Sequence, residues 1–382
     1  MKKTFKEYYL PEEQEFDILW KEGVIILDTN VLLNFYRYSP ETTKTLMQTL
    51  QSLDKRVWIP YQVGKEFHER RLDVIKEQKQ NYKELIDTLD EIEQKLANKS
   101  RYPFLSSDIY NQLTSVFTHS RQELRKTEKE FDARFYNDTL LEKITILFDG
   151  KVGQKLTDKK LQEIYKEGEV RYKSNIPPGF KDGKNKPFPQ KYGDLVLWKE
   201  LILYSESQKK PVIFVTDEKK EDWWEKHSGK VIRPHQHLVK EFFDKTKSNF
   251  YMYSSFNFLK YAKVRLNDEI EQKAIDEVEE LANSQLKNQQ LNYFKSSKIL
   301  IEIQVKSTSK ELYYEFIKFI ENKGYELNYY NVNNNDEFFT IFIPVGHPDL
   351  IRRFRVKILP LLEDYGLELV SFSSHLSSND SK

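Results

Sequence analysis

Four carboxylates stand where neighbouring structure would hold a side chain rigidly. Asp28 follows the aliphatic run Val24-Ile25-Ile26-Leu27, and Asp217 follows Val212-Ile213-Phe214-Val215-Thr216. Glu66 lies in the opening turns of a helical pattern, and Asp194 sits at the mouth of an apolar one. Two carboxylates about 4 Å apart repel by roughly 4 kcal/mol at an effective dielectric near 20. Four brought together would take up protons or separate unless a cation sat among them. Hard oxygen ligands without His or Cys select Mg²⁺ or Mn²⁺ over zinc. Such an ion binds a phosphate oxygen and lowers the pKa of water, which is the chemistry of phosphodiester hydrolysis. In a chain with 60 acids, any one of these alone is more often a helix cap or a solvated charge. The set of four carries the inference.

The elements that must position them can be read from periodicity. Runs such as 24–27 and 212–215 are strands buried on both faces, as in a parallel sheet. An acid at the end of such a strand lies in the crevice where open α/β sheets bind their ligands. If the two strands are neighbours, Asp28 and Asp217 face each other there. A polar arm precedes the first strand. Ser39-Pro40-Glu41 opens a helix, with a hydroxyl cap, proline in the first turn and an acid at the positive dipole end. Val57-Trp58-Ile59-Pro60 is the second strand, and the pattern carrying Glu66 starts near Tyr61.

Residues 73–172 are highly charged, helical in period and free of strand signals, which predicts a helical insertion serving as an arm, a lid or a partner surface. The stretch 176–194 differs. Four prolines and three glycines bar regular structure, and Lys181, Lys184, Lys186 and Lys191 are interleaved with Phe180 and Phe188. Such a loop could grip a phosphate backbone and stack bases, or simply be solvated. Short strands follow at 231–232 and 250–253, with a helix between them. Trp223 and Trp224 are read as packing residues, and His235 and His237 as flanking a helix start. Residues 266–295 form a connecting helix. The order strand 299–305, helix 309–322, strand 325–330, strand 337–343, helix 348–364, strand 367–372 is the βαββαβ, ferredoxin-like pattern. It predicts an α+β domain over 296–376 and a disordered tail over 377–382.

Composition narrows the class. At 382 residues two domains are expected. Lys plus Arg (61) nearly balances Asp plus Glu (60), so nucleic-acid contact must come from local patches. The absence of cysteine excludes thiol nucleophiles, zinc–thiolate sites and iron–sulfur clusters. With no signal-like N-terminus and no membrane-length apolar run, it points to a soluble, cytoplasmic chain without membrane association.

Asp28-Thr29-Asn30, Glu66, Gly193-Asp194 and Thr216-Asp217 together resemble the PIN-like (PilT N-terminus) nucleases, in particular a bacterial branch with a helical insertion. The likeness spans roughly 24–263. It implies a three-layer α/β/α domain over 1–265 with a mostly parallel central sheet. It further implies a Mg²⁺- or Mn²⁺-dependent endonuclease, acting on RNA rather than DNA, with Asp28, Glu66, Asp194 and Asp217 holding the metal. Asn30 and Thr216 would orient carboxylates and water, while Asp222 (or Glu221) either adds a ligand or caps a helix at Trp223. Relatives suggest a role in growth arrest or phage defence. The insertion departs from a compact family core and bears on substrate access.

Rival readings fare less well. A haloacid-dehalogenase-type phosphatase wants a second Asp where this chain has Asn30, and a receiver domain wants paired acids after its first strand. The serious alternative is an inert PIN-like binding or regulatory protein. For the C-terminal block, the first strand Ile299-Leu300-Ile301-Glu302-Ile303 lacks the aromatics of RNA-recognition domains. Subunit association or sensing therefore fits better there. The insertion or this block could serve a homo-oligomer or a partner protein.

Overall fold

The computed structural model describes the chain apart from residues 3, 98–104, 184–185, 228–229, 267–268, 297–298, 308–314, 317, 319–327, 332–337, 346–357, 366 and 377–382. Two units emerge, Met1–Ala282 and Asn283–Lys382.

In the first unit, the expected polar arm gives way to a helix, α1 (Glu13–Glu22), closed by a Glu12/Glu15 capping box. Leu19 and Trp20 give it a buried face, which its many acids mask in the sequence. The strands β1 (Val24–Leu27), β2 (Val57–Trp58) and β3 (Val212–Val215) are buried throughout. A hairpin of β4 (Trp224–His227) and β5 (Lys230–Pro234) stands apart as its own two-stranded sheet, and β6 (Phe250–Tyr253) follows. The main sheet runs β2-β1-β3-β6, all parallel. Parallel neighbours require crossovers, and here the chain leaves β1 for β2 on one side and returns to β3 on the other. The β1/β3 junction is thus a topological switch point, where a ligand crevice opens at the strand ends. Register pairs Leu27 with Val215, so Asp28 and Thr216 emerge side by side.

The helices that frame this edge are α2 (Thr29–Asn34), which begins on Asp28, and α3 (Pro40–Ser52), capped by Ser39. Next comes α4 (Tyr61–Ala97), whose 37 residues extend about 55 Å at 1.5 Å per residue. It folds back on α5 (Ser107–Ala133), with Arg121 bonded to Asp90 (2.9 Å) and to Glu93. The insertion continues through α6 (Thr139–Phe148) and α7 (Asp158–Lys173). It returns to the sheet edge, where Ile59 bridges Val152. Glu66 and the projecting arm therefore share one helix. Beyond the loop come α8 (Gly193–Gln208), α9 (Gln236–Thr246) and α10 (Ser255–Arg265). Finally α11 (Gln272–Ser296) docks its early turns, Glu277 accepting from Ser39 and Thr42. Among the described residues, no helix is long and apolar enough to cross a membrane.

A buried ion network binds the insertion to this core. Arg171 of α7 donates to both oxygens of Glu241 on α9 (2.8 and 2.7 Å), joined by Lys199 (3.0 Å) and Trp198 Nε1 (2.9 Å) from α8. Burial alone would raise the Glu241 pKa, but Arg171 and Lys199 bring it from 4.5 down to about 2. A depressed carboxyl stabilises the fold above its ordinary value, and that contribution fades as pH falls from about 4.5 towards 2. Glu241→Gln is expected to cost about 2–3 kcal/mol at pH 7 and visibly less at pH 3. Urea melts at the two pH values check this; an equal loss at both would refute it.

In the second unit, β7 (Ile299–Ser307), β8 (Asn328–Asn331), β9 (Phe338–Val345) and β10 (Leu367–Leu376) form one antiparallel sheet in the order β10-β7-β9-β8. Val305, Phe316, Ile358, Leu362 and Leu367 are buried. The helices expected at 309–322 and 348–364 lie largely outside the described residues, and the tail at 377–382 wholly so.

Candidate active site

Asp28 is the N-cap of α2 and the centre of a small lattice of hydrogen bonds. Its Oδ1 accepts from the Thr29 backbone (2.7 Å). Its Oδ2 accepts from Asn30 Nδ2 (2.7 Å) and Thr216 Oγ1 (2.6 Å). Asn30 reaches across the strand gap, its Oδ1 accepting from the Asp217 backbone (3.0 Å). The Asp-Thr-Asn tripeptide is thus a clasp between β1 and the end of β3.

Glu66 projects from α4 towards the same crevice. Its Oε1 accepts from Gln62 Nε2 (2.6 Å) and its Oε2 from Thr29 Oγ1 (3.3 Å), which links it to the residue beside Asp28. A Cβ on Gly193 would lie 2.8 Å from Glu66 Oε1, so Glu66 lies against the start of α8. Asp194, the next residue, accepts from Trp223 Nε1 (3.3 Å). Trp223 and Trp224 are 2% and 7% exposed, packing residues as read from the sequence.

The electrostatics bind the set together. Desolvation pushes the Asp28 carboxyl up to about 6, Thr216 opposes it, and the charges of Glu66 and Glu218 add to it. Desolvation lifts Asp194 to about 7, Lys220 opposing and Asp182 and Asp28 adding. Glu66 therefore acts on Asp28, and Asp28 on Asp194.

Asp217 does not join them in the expected way. Its carboxylate turns to the first turn of α10, accepting from Ser255 N (2.8 Å), Ser255 Oγ (2.7 Å) and Asn34 Nδ2 (3.0 Å). The acid whose charge reaches Asp28 is its neighbour Glu218. Beyond the end of β3 the two adjacent acids thus turn to different partners. Glu218 accepts from the Lys219 and Lys220 backbones and pairs with Lys220 Nζ (2.9 Å). That ammonium also meets Asp182 (2.8 Å). Burial works against the Lys220 charge, but Glu218, Asp194 and Asp182 push its pKa up.

Asp222 faces the loop instead of the acids. Fully buried, it accepts from the Gly179 and Lys181 backbones (3.1 Å each), pinning the proline-rich segment. Beyond it no helix starts at Trp223, because the chain turns straight into β4. Gly179, at φ +89°, makes the turn where a Cβ would strike Tyr172 Oη and Asp194. Of the loop lysines, Lys181 pairs with Glu221, Lys186 pairs with Asp182 (2.5 Å) and Lys191 lies over the Tyr192 ring (4.9 Å). Lys184 is outside the described residues. Phe188 is exposed, edge-on to Tyr165. His235 caps α9, accepting from His237 N (3.2 Å).

A divalent cation fits the donor chemistry, which is all oxygen, half-buried and mutually repelling. As the side chains stand, each acid faces a donor of its own, and among the described residues no three acids are grouped closely enough to hold an ion. Sequence reasoning missed Glu218, Lys220, Gln62 and Asn34. Only Glu218 had a visible signal, as an acid directly beside a strand-end candidate.

A family model described as a PIN like domain matches residues 24–238. No curated protein and no solved structure matches the chain.

Proposed function

The chain belongs to the PIN-like domain family, and from that premise we propose that its first unit is a divalent-metal-dependent endonuclease acting on RNA. Domains of this family are generally nucleases and typically use divalent ions. The observation that supports the reading most is that Thr29 links Asp28 to Glu66, and Glu66 lies against the helix start that bears Asp194, at a topological switch point. Asp28, Glu66 and Asp194 would hold Mg²⁺ or Mn²⁺, with the fourth carboxylate drawn from the Asp217-Glu218 pair. An ion there supplies Lewis acidity at the phosphate and lowers the pKa of water.

The chain's own residues fix the rest. Thr216, Asn30 and the Thr29 amide hold Asp28 in one orientation, and Gln62 and Thr29 do so for Glu66. Asp217 ties the end of β3 to α10 through Ser255. Lys220 contributes a fixed positive charge beside the acids, suited to a phosphate. RNA is preferred over DNA on family grounds. The second unit is read as ferredoxin-like, serving subunit association or sensing.

Labelled RNA and DNA incubated with the protein, with and without EDTA, test the proposal. Metal-restored RNA cleavage is expected, and cleavage indifferent to EDTA would remove it. One observation favours a second reading, an inert binding or regulatory module: Lys220 already places a cation among the acids.

The loop lysines give a separate prediction. Each phosphate contact on a single strand contributes a log–log salt slope of roughly 0.7. Neutralising Lys181, Lys186 and Lys191 together is expected to flatten the slope by about 2. An unchanged slope would make the loop a bystander.

A further inference from the structure

We propose that Glu200 is a positioning residue for Glu66, acting by capping the helix that carries it. The helix α4 begins directly after Pro60, whose carbonyl accepts from Gly64 N (3.1 Å) and whose side chain offers no acceptor. Its first amides are therefore orphaned unless another segment meets them. Glu200 Oε2 does so, accepting from Gln62 N at 3.0 Å. Glu200 is 6% exposed, so no bulk water could replace it. A negative charge at a helix N-terminus also complements the dipole.

The consequence reaches the site through one residue. Gln62, whose amide Glu200 holds, donates its own side chain to Glu66 Oε1 at 2.6 Å. Glu200 belongs to α8, which opens on Gly193-Asp194. One helix thus presents Asp194 at its first turn and, six residues on, grips the end of the helix bearing Glu66. Desolvation and the Glu66 charge lift the Glu200 carboxyl to about 7, the Gln62 amide opposing. Burying it carries a cost that a packing role alone would not repay. This inference rests on the reading of Glu66 as a metal ligand.

Mn²⁺ titration calorimetry on full-length protein tests it. Glu200→Gln keeps an oxygen acceptor and is expected to bind Mn²⁺ within about 3-fold of wild type. Glu200→Leu keeps the volume but orphans the Gln62 amide, and is expected to bind about 10–100-fold more weakly, as loss of an orienting partner does. In a Glu66→Gln background the Leu change should add nothing, because Glu200 acts through Glu66. A folded Glu200→Leu that binds as tightly as Glu200→Gln overturns the proposal, as does full additivity in that cycle. Should Glu200→Leu not fold, Glu200→Met, which also keeps the volume and lacks an oxygen acceptor, is read by the same ordering. If Asp28→Asn and Glu66→Gln themselves leave Mn²⁺ binding intact, it is the parent reading that fails.

Discussion

Asp28→Asn is expected to abolish nucleic-acid cleavage while leaving the protein at least as heat-stable as before. The loss in rate should be about a thousandfold or more, because a ligand is worth more than the 10–100-fold of an outer partner. The stability follows from the sign of the pKa shift. The folded state raises the Asp28 carboxyl from 3.8 to about 6. A raised carboxyl favours the fold while protonated, and that advantage erodes as pH climbs from about 4 to 6. At neutral pH the folded protein therefore carries a penalty of about 3 kcal/mol, at 1.36 kcal/mol per pH unit. Asparagine removes it. Against this stand the bonds to Oδ2 from Asn30 Nδ2 and Thr216 Oγ1, worth about 1 kcal/mol each. The melting temperature should hold or rise. Cleavage retained in a well-folded Asp28→Asn, or a melt many degrees lower, would contradict the picture of an acid kept for function at a cost in stability.

Gly193→Ala should show the complementary behaviour, a silent fold and a damaged site. The added methyl would sit 2.8 Å from Glu66 Oε1 and 3.4 Å from Gln62 Nε2. These are the far ends of flexible side chains, so they can swing away without disturbing the backbone. Gly193 is helical at φ −53°, so alanine meets no backbone strain there. The displaced group, however, is the carboxylate itself. Circular dichroism melts are expected to match wild type within a few degrees, while Mn²⁺ affinity and cleavage fall about 10–100-fold. Wild-type activity in Gly193→Ala would mean that Glu66 need not lie against α8.

What the sequence could reveal depended on how local the cause was. The strands β1 and β3 were legible because an aliphatic run buried on both faces has few other uses, and Asp28 because it ends such a run. The choice between Asp217 and Glu218 was not. They are adjacent, and what turns Asp217 aside is Ser255 and Asn34, 38 and 183 positions away. A helix at Trp223 was one expectation, yet Glu218 folds back on the amides of Lys219 and Lys220, and the chain enters a hairpin at Trp224. Likewise α2 is only six residues long, too short to show a period. Glu200 gave no sign at all: its partner Gln62 lies 138 positions away, and a single acid in an apolar helix looks like an exposed one.

The central claim is that acids from distant segments make one divalent-cation site. Calorimetric titration of Mn²⁺ into wild type, Asp28→Asn, Glu66→Gln and Asp194→Asn tests it most directly. The expected result is saturable binding by wild type, weakened at least tenfold by each of the three changes alone. Binding that survives all three, or no binding by a folded wild-type protein, would contradict it.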